Sequence, residues 1–291
     1  MIHSTHSRRD SLRKMVCRQI FFLISMSLYA GSGFAQRPIN IVTDTQVVQP
    51  LHVLFIGNSF TYFNNMPKLV EVISESLSGP QIKTEMVAVG GARLEDLWKQ
   101  GSALAAIRKQ HWDYVVMNEQ SALGGGIVNG EKRIADPANF FNYAEMFNTE
   151  IRKSGAKTVI IMTWKDKNDP DRIQNELNNA FLEFRSTHGV ILAPVSAAWA
   201  LTMKTDSEIN PYFDDNHHPS KDGSYLEACT IYATLTGNSP VGAPARVEGT
   251  PIENADGALL AAKTKTLVNV SPRIAAKLQQ IAWKAEQDFP R

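Results

Sequence analysis

Five short, β-rich apolar runs recur along the chain, with amphipathic segments of helical length between them. The runs occupy residues 53–56, 83–89, 114–117, 158–162 and 190–192. Apolar runs of this length read as strands buried on both faces, because a half-solvated strand would alternate apolar and polar residues. Helical periodicity fills residues 67–77, 94–109, 140–153, 171–184, 223–235 and 271–289. Strands alternating with helices predict a parallel sheet covered on both sides. Right-handed crossovers then make the chain an α/β protein: a doubly wound, three-layer α/β/α sandwich around a five-stranded parallel sheet, with flavodoxin-like strand order. No internal repeat or linker interrupts it, so residues 36–291 read as one domain with a C-terminal helical extension.

The N-terminus lies outside that pattern. Arg8, Arg9, Arg13, Lys14 and Arg18 form a basic leader, residues 20–30 an apolar run, and Gly33-Phe34-Ala35 a small-x-small site before Gln36. This reads as a secretory signal peptide over residues 1–35. The apolar run is shorter than the roughly 20 residues that a spanning helix needs. Ser7-Arg8-Arg9 resembles a twin-arginine signal, with Ser11 where Phe is usual. Without the leader the chain keeps 25 basic and 28 acidic residues, a net charge of −3, and one cysteine, Cys229. Cys229 falls in an apolar helical pattern and is expected to be buried and inert. The product expected is an exported protein, periplasmic or extracellular. The full chain's net charge of +1 offers no electrostatic case for nucleic acid or an anionic membrane. Its 43% hydrophobic and 20% charged residues exclude a disordered chain, and two cysteines exclude a disulfide scaffold or a Cys-type zinc site.

In doubly wound sheets chemistry gathers at the carboxyl ends of the strands. The segments expected there are Gly57-Asn58-Ser59-Phe60-Thr61, Gly90-Gly91-Ala92-Arg93, Asn118-Glu119-Gln120-Ser121 and Thr163-Trp164-Lys165. A fifth, Asp214-Asp215-Asn216-His217-His218-Pro219-Ser220, precedes the helix predicted from residue 223. A serine in a strand-to-helix turn, a glycine turn, an amide cluster and an Asp/His pair are the parts of an acyl-transfer site.

In order and type these segments resemble the four blocks of the SGNH (GDSL-like) hydrolase superfamily. The likeness is closest to its bacterial exported branch, with Gly-Asn-Ser at the nucleophile, Glu-Gln-Ser in the third block and Gly-Ser-Tyr-Leu after the histidine. It spans residues 54–220. The resemblance implies a serine esterase with Ser59 as nucleophile and an oxyanion hole made by the N–H groups of Ser59 and Gly91 and a third-block amide. That amide is Gln120, whose longer side chain reaches further past the strand end, or alternatively Asn118. Asp214 with His217 and Asp215 with His218 are both i, i+3 pairs. The family sets its catalytic histidine before Pro or a similar residue, which selects His218 and Asp215, and Pro219 in the first helical turn would fix the approach of His218. Asn58 and Trp164 are candidates for substrate contact.

Each residue also has a plainer reading: Ser59 or Asn58 as a helix cap, Gly91 as a turn residue, Trp164 as buried packing. Asn58 replaces the family's usual Asp, and the third block lacks Gly-x-Asn-Asp. Export and the resemblance together imply short acyl esters, acetyl groups on polysaccharide among them, with a small-molecule or glycan ester as partner and no metal or cofactor. The alternatives are a non-catalytic carbohydrate-binding protein on the same fold, an acyltransferase or lipase-like enzyme on the same triad, and a metal-dependent hydrolase using Asp214, Asp215, His217 and His218. No His-x-His or His-Glu-x-x-His motif supports the last.

Overall fold

A computed structural model describes residues 49–123, 126–134, 137–252 and 264–290. The expected signal peptide lies outside the described residues. The first strand, β1 (Leu51–Gly57), shows how the core is divided. Val53 and Phe55 point into one apolar cluster and Leu54 and Ile56 into the other, all four fully buried. Period-two alternation thus serves two cores at once, so residues 53–56 leave no position for a polar side chain. Around β1 stand β2 (Ile82–Ala88), β3 (Tyr114–Met117), and beyond them two further parallel strands at Lys157–Ile161 and Ile191–Ala193. In sequence order these five run 2-1-3-4-5 across the sheet, all neighbours parallel, which is the flavodoxin-like order.

Between strands run α1 (Ser59–Tyr62), a short 3-10 helix (Phe63–Asn65), α2 (Met66–Ser76), α3 (Leu94–Gln100) and α4 (Ser102–Lys109). The single helix expected over 94–109 is therefore two. Gly101 ends α3, its N–H donating to the carbonyls of Leu97 and Trp98, and the chain restarts as α4. A hairpin follows, β4 (Gly126–Val128) and β5 (Glu131–Arg133), turned by Asn129-Gly130. Next come α5 (Ala138–Lys153), the sheet strand β6 (Lys157–Ile161), α6 (Asp171–His188), the sheet strand β7 (Ile191–Ala193), α7 (Val195–Thr205) and α8 (Lys221–Thr236). Helices α3 to α6 cover one face, with Leu97, Ile107, Phe147 and Phe181 buried there. Helices α2, α7 and α8 cover the other.

Residues 240–290 hold more than a helical extension. They add an antiparallel ribbon, β8 (Arg246–Gly249) with β9 (Lys265–Asn269), before α9 (Pro272–Asp288). Helix α9 packs on α7 and α8, burying Leu278 and Ala282. Gln279 fixes its register: its Nε2 donates to Tyr225 Oη at 2.7 Å and to the Ala243 carbonyl at 2.9 Å. Cys229 is buried in α8, and burial pushes its thiol up, in keeping with an unreactive packing residue. No helix among the described residues is long and apolar enough to cross a membrane.

Candidate active site

The carboxyl end of β1 turns into α1 through Gly57 and Asn58. A Cβ on Gly57 would stand 2.2 Å from Thr61 Oγ1 and 2.9 Å from Asn118 Cβ, so only glycine lets the turn close this tightly. Asn58 is extended and caps α1, its Oδ1 accepting from Phe60 N–H at 3.1 Å. Its Nδ2 donates to the Ala92 carbonyl at 3.1 Å, tying the nucleophile turn to the glycine block. With both polar atoms engaged and 3% of its surface exposed, Asn58 is a brace rather than a substrate contact. The cap role is thereby taken, and Ser59, the first residue of α1, keeps its hydroxyl for another partner.

That partner is His218. Its Nε2 lies 2.9 Å from Ser59 Oγ, and its Nδ1 lies 2.6 Å from Asp215 Oδ2. A carboxylate only accepts, so the ring proton sits on Nδ1 and Nε2 is the acceptor facing the serine. Asp215 Oδ1 also accepts from the N–H groups of His217 and His218, both at 3.0 Å. Burial works to raise the Asp215 carboxyl, but these hydrogen bonds prevail, the His218 ring's foremost, and hold it below the usual carboxylate range. Phe63 stacks on the His218 ring at 4.3 Å, and Phe60 meets it edge-on at 5.7 Å.

Pro219 does not open the following helix. Ser220 is the cap of α8, its Oγ accepting from Gly223 N–H at 3.1 Å, and Pro219 precedes it. What holds the loop is a short antiparallel pairing: Phe213 N–H donates to the His218 carbonyl at 2.7 Å, and Ser220 N–H to that of Pro211 at 2.9 Å. His217 pairs with a different carboxylate, its Nδ1 2.5 Å from Asp166 Oδ1. Asp214, Asp215, His217 and His218 therefore do not converge, and no group of three metal-binding side chains occurs among the described residues.

The glycine block turns at Gly91, with φ of +70°. Among the described residues the N–H groups of Ser59 and Gly91 meet no protein acceptor, as the first amide of a helix has none within the helix. In the third block, Gln120 Oε1 accepts from Ala122 N–H at 3.0 Å, which anchors the carboxamide. Its Nε2 keeps one long contact to Ser121 Oγ at 3.4 Å. Asn118 is buried, and neither atom of its amide has a partner or solvent access. The intervening Glu119 was not singled out by the sequence, yet it joins two blocks: its carboxylate accepts from Gln120 N–H at 2.6 Å and from Leu94 N–H at 3.2 Å. Burial pushes its carboxyl up to about 7 against these two hydrogen bonds.

Trp164 is 1% exposed, sandwiched between Phe60 at 4.4 Å and Trp199 at 3.8 Å. Its indole N–H donates to the His217 carbonyl at 3.1 Å. It supports the histidine loop from beneath and offers no face to a ligand, so the buried-packing alternative holds. A concavity of about 660 Å³ lies between α6 and α7, lined by Lys165, Lys167, Met203 and Tyr212 among others, and not by Ser59 or His218. The serine and histidine open on the sheet's carboxyl rim instead, as the chemistry of this architecture requires.

No protein-family model matches the sequence, and no curated protein does. Solved structures match it in three dimensions. A DUF4886 family protein from Bacteroides uniformis superposes with a TM-score of 0.58 at 16% identity, over 82% of this chain and 96% of that one. A lipase/acylhydrolase from Enterococcus faecalis gives 0.52 at 19% identity, over 64% and 96%. A catalytic mutant of an acetylxylan esterase from Geobacillus stearothermophilus gives 0.51 at 14% identity, over 65% and 95%. At these identities the likeness establishes the fold alone, a five-stranded parallel sheet covered by helices on both faces.

Proposed function

We propose that the protein is an exported serine esterase that removes short acyl groups, acetyl foremost, from a hydroxylated alcohol such as a carbohydrate. The observation that carries the reading is the unbroken line from Asp215 through His218 to Ser59, at 2.6 and 2.9 Å. In the reaction His218 takes the Ser59 proton as Oγ attacks the ester carbonyl, and then returns it to the leaving alcohol. Asp215 keeps the imidazole in the tautomer that can accept, and stabilises the imidazolium that forms. The carbonyl oxygen, now negative, is met by the N–H groups of Ser59 and Gly91 and by Gln120 Nε2. One such donor is worth on the order of 3 kcal/mol. Water activated by His218 then releases the acyl group from Ser59.

Gln120 is preferred over Asn118 because the Asn118 amide is sealed from solvent, and a sealed group cannot meet a substrate oxygen. The buried surroundings of Ser59, 8% exposed beside Phe60, support a short acyl group. Support for a carbohydrate comes from Phe213, 49% exposed and edge-on to Phe63 at 6.3 Å, which sets an apolar surface next to the His218 ring. The acetylxylan esterase among the fold neighbours acts on a substrate of this class by its name. Export rests on the leader over residues 1–35. A panel of p-nitrophenyl esters of increasing chain length, followed by acetylated glycans, tests the reading. Acetate and propionate should be turned over fastest; a panel in which only long-chain esters react would contradict it.

A further inference from the structure

Next to the Ser59–His218–Asp215 line stands a second histidine–carboxylate pair for which ester hydrolysis has no task. His217 Nδ1 is bound to Asp166 Oδ1, and Lys132 of the hairpin closes on Asp166 Oδ2 and on Asp169 Oδ2, both at 2.7 Å. The His217 hydrogen bond foremost, with Lys132 adding to it, holds the Asp166 carboxyl down at about 2 against burial, so the carboxylate stays ionised. Asp166 from one loop, itself held by Lys132 from the hairpin, fixes an imidazole that lies outside the triad.

The fixing has a chemical consequence. Because Asp166 only accepts, the proton of neutral His217 is on Nδ1, and Nε2 is left as an acceptor. Among the described residues Nε2 has no protein partner, and the side chain keeps 33% of its surface open. The ring lies 4.7 Å from that of His218, at 86° to it. His218 must return its proton to the leaving alcohol, so the alcohol portion of the ester has to sit beside His218 and within reach of its neighbours. We infer that His217 is a specificity residue, whose Nε2 accepts a hydrogen bond from a hydroxyl group on the alcohol portion of the substrate, with Asp166 and Lys132 as positioning residues.

This inference rests on the hydrolytic reading, and one experiment separates them. Specificity constants are measured for glycerol monoacetate, whose alcohol carries free hydroxyls, and for p-nitrophenyl acetate, whose alcohol carries none. In His217→Ala both fall, and the ratio of the first to the second falls by a further fivefold to tenfold, about the size of one neutral hydrogen bond. His217→Gln, whose carboxamide oxygen can still accept, recovers part of the ratio, and Asp166→Asn loses part of it. A ratio unchanged in His217→Ala, or loss of both activities as complete as in Ser59→Ala, overturns the specificity role while ester hydrolysis stands. A wild-type protein that hydrolyses neither ester overturns the hydrolytic reading and this inference with it.

Discussion

A serine hydroxyl becomes a useful nucleophile only when a base within hydrogen-bond reach can take its proton, and Ser59 has such a base in His218. Ser59→Ala should therefore leave a folded protein whose kcat is lower by about 10⁴ or more, and His218→Ala should be nearly as damaging. His217→Ala should cost far less, and the opposite ranking in steady-state kinetics would make His217, with Asp166 as its carboxylate, the working pair. Gln120→Ala should lower kcat by roughly 10²–10³ with little change in KM. Were Asn118→Ala to do this while Gln120→Ala left kcat intact, the donor assignment would be wrong. Ser59, Asp215 and His218 were legible in the sequence because each sits in a short segment whose residue types suit one chemistry. The Asp166–His217 pair was not, since its members lie 51 residues apart and nothing local joins them. Trp164 was placed at the right strand end, but the side to which its ring turns depends on Phe60 and Trp199, which only the packed fold supplies.

At the scale of elements, the site is a set of turns whose shapes depend on one another. Gly57→Ala puts a methyl group into Thr61 Oγ1 and Asn118 Cβ, so the turn that presents Ser59 has to shift. We expect a loss of about 1–3 kcal/mol of stability, as for other overpacked sites, with a fall in kcat; a variant with wild-type melting and turnover would remove the close-turn account. Glu119 couples the glycine and amide blocks, and its carboxyl is pushed up from 4.5 to about 7. Below pH 4.5 it is protonated in both folded and unfolded chains. Between about 4.5 and 7 the unfolded chain gives up this proton first, so the carboxyl makes stability fall as pH rises, and above 7 the loss is complete. Denaturant titrations of Glu119→Gln across that range should show a flatter pH dependence than the wild type; parallel curves would contradict the buried, coupling role. The hairpin was missed in the sequence, although Asn129-Gly130 is a pair that favours a two-residue turn, because its three-residue strands are too short to carry a period. Helix α7 and the ribbon of β8 and β9 escaped the sequence reading for similar reasons, as their patterns are brief and half of each is solvated.

Over the whole molecule, the sheet was the most legible part, because its inner strands, buried on both faces, leave continuous apolar runs, whereas the edge strand β2 exposes Lys83 and Glu85 and lacks such a run. The layer formed by α7, α8 and α9 was less so, since α8 is buried nearly all round and carries little amphipathic contrast to show which side it packs. Helix α9 closes that layer, and Leu278→Ala should cost about 2–5 kcal/mol. For a domain of this size that lowers Tm by roughly 5–15 °C, with turnover at room temperature retained because Leu278 lies in the α7–α8–α9 packing and not at the strand ends. A melting point unmoved by the substitution would mean that α9 is not part of the core. The central claim, that this fold presents Ser59 as a nucleophile driven by His218, is tested most directly by covalent labelling. The protein is treated with a small fluorophosphonate, and the adduct is located by mass spectrometry of its peptides. The account predicts one adduct, on Ser59, formed rapidly in the wild type and lost in His218→Ala. Esterase turnover with no adduct on Ser59, or labelling that His218→Ala leaves undiminished, would contradict it.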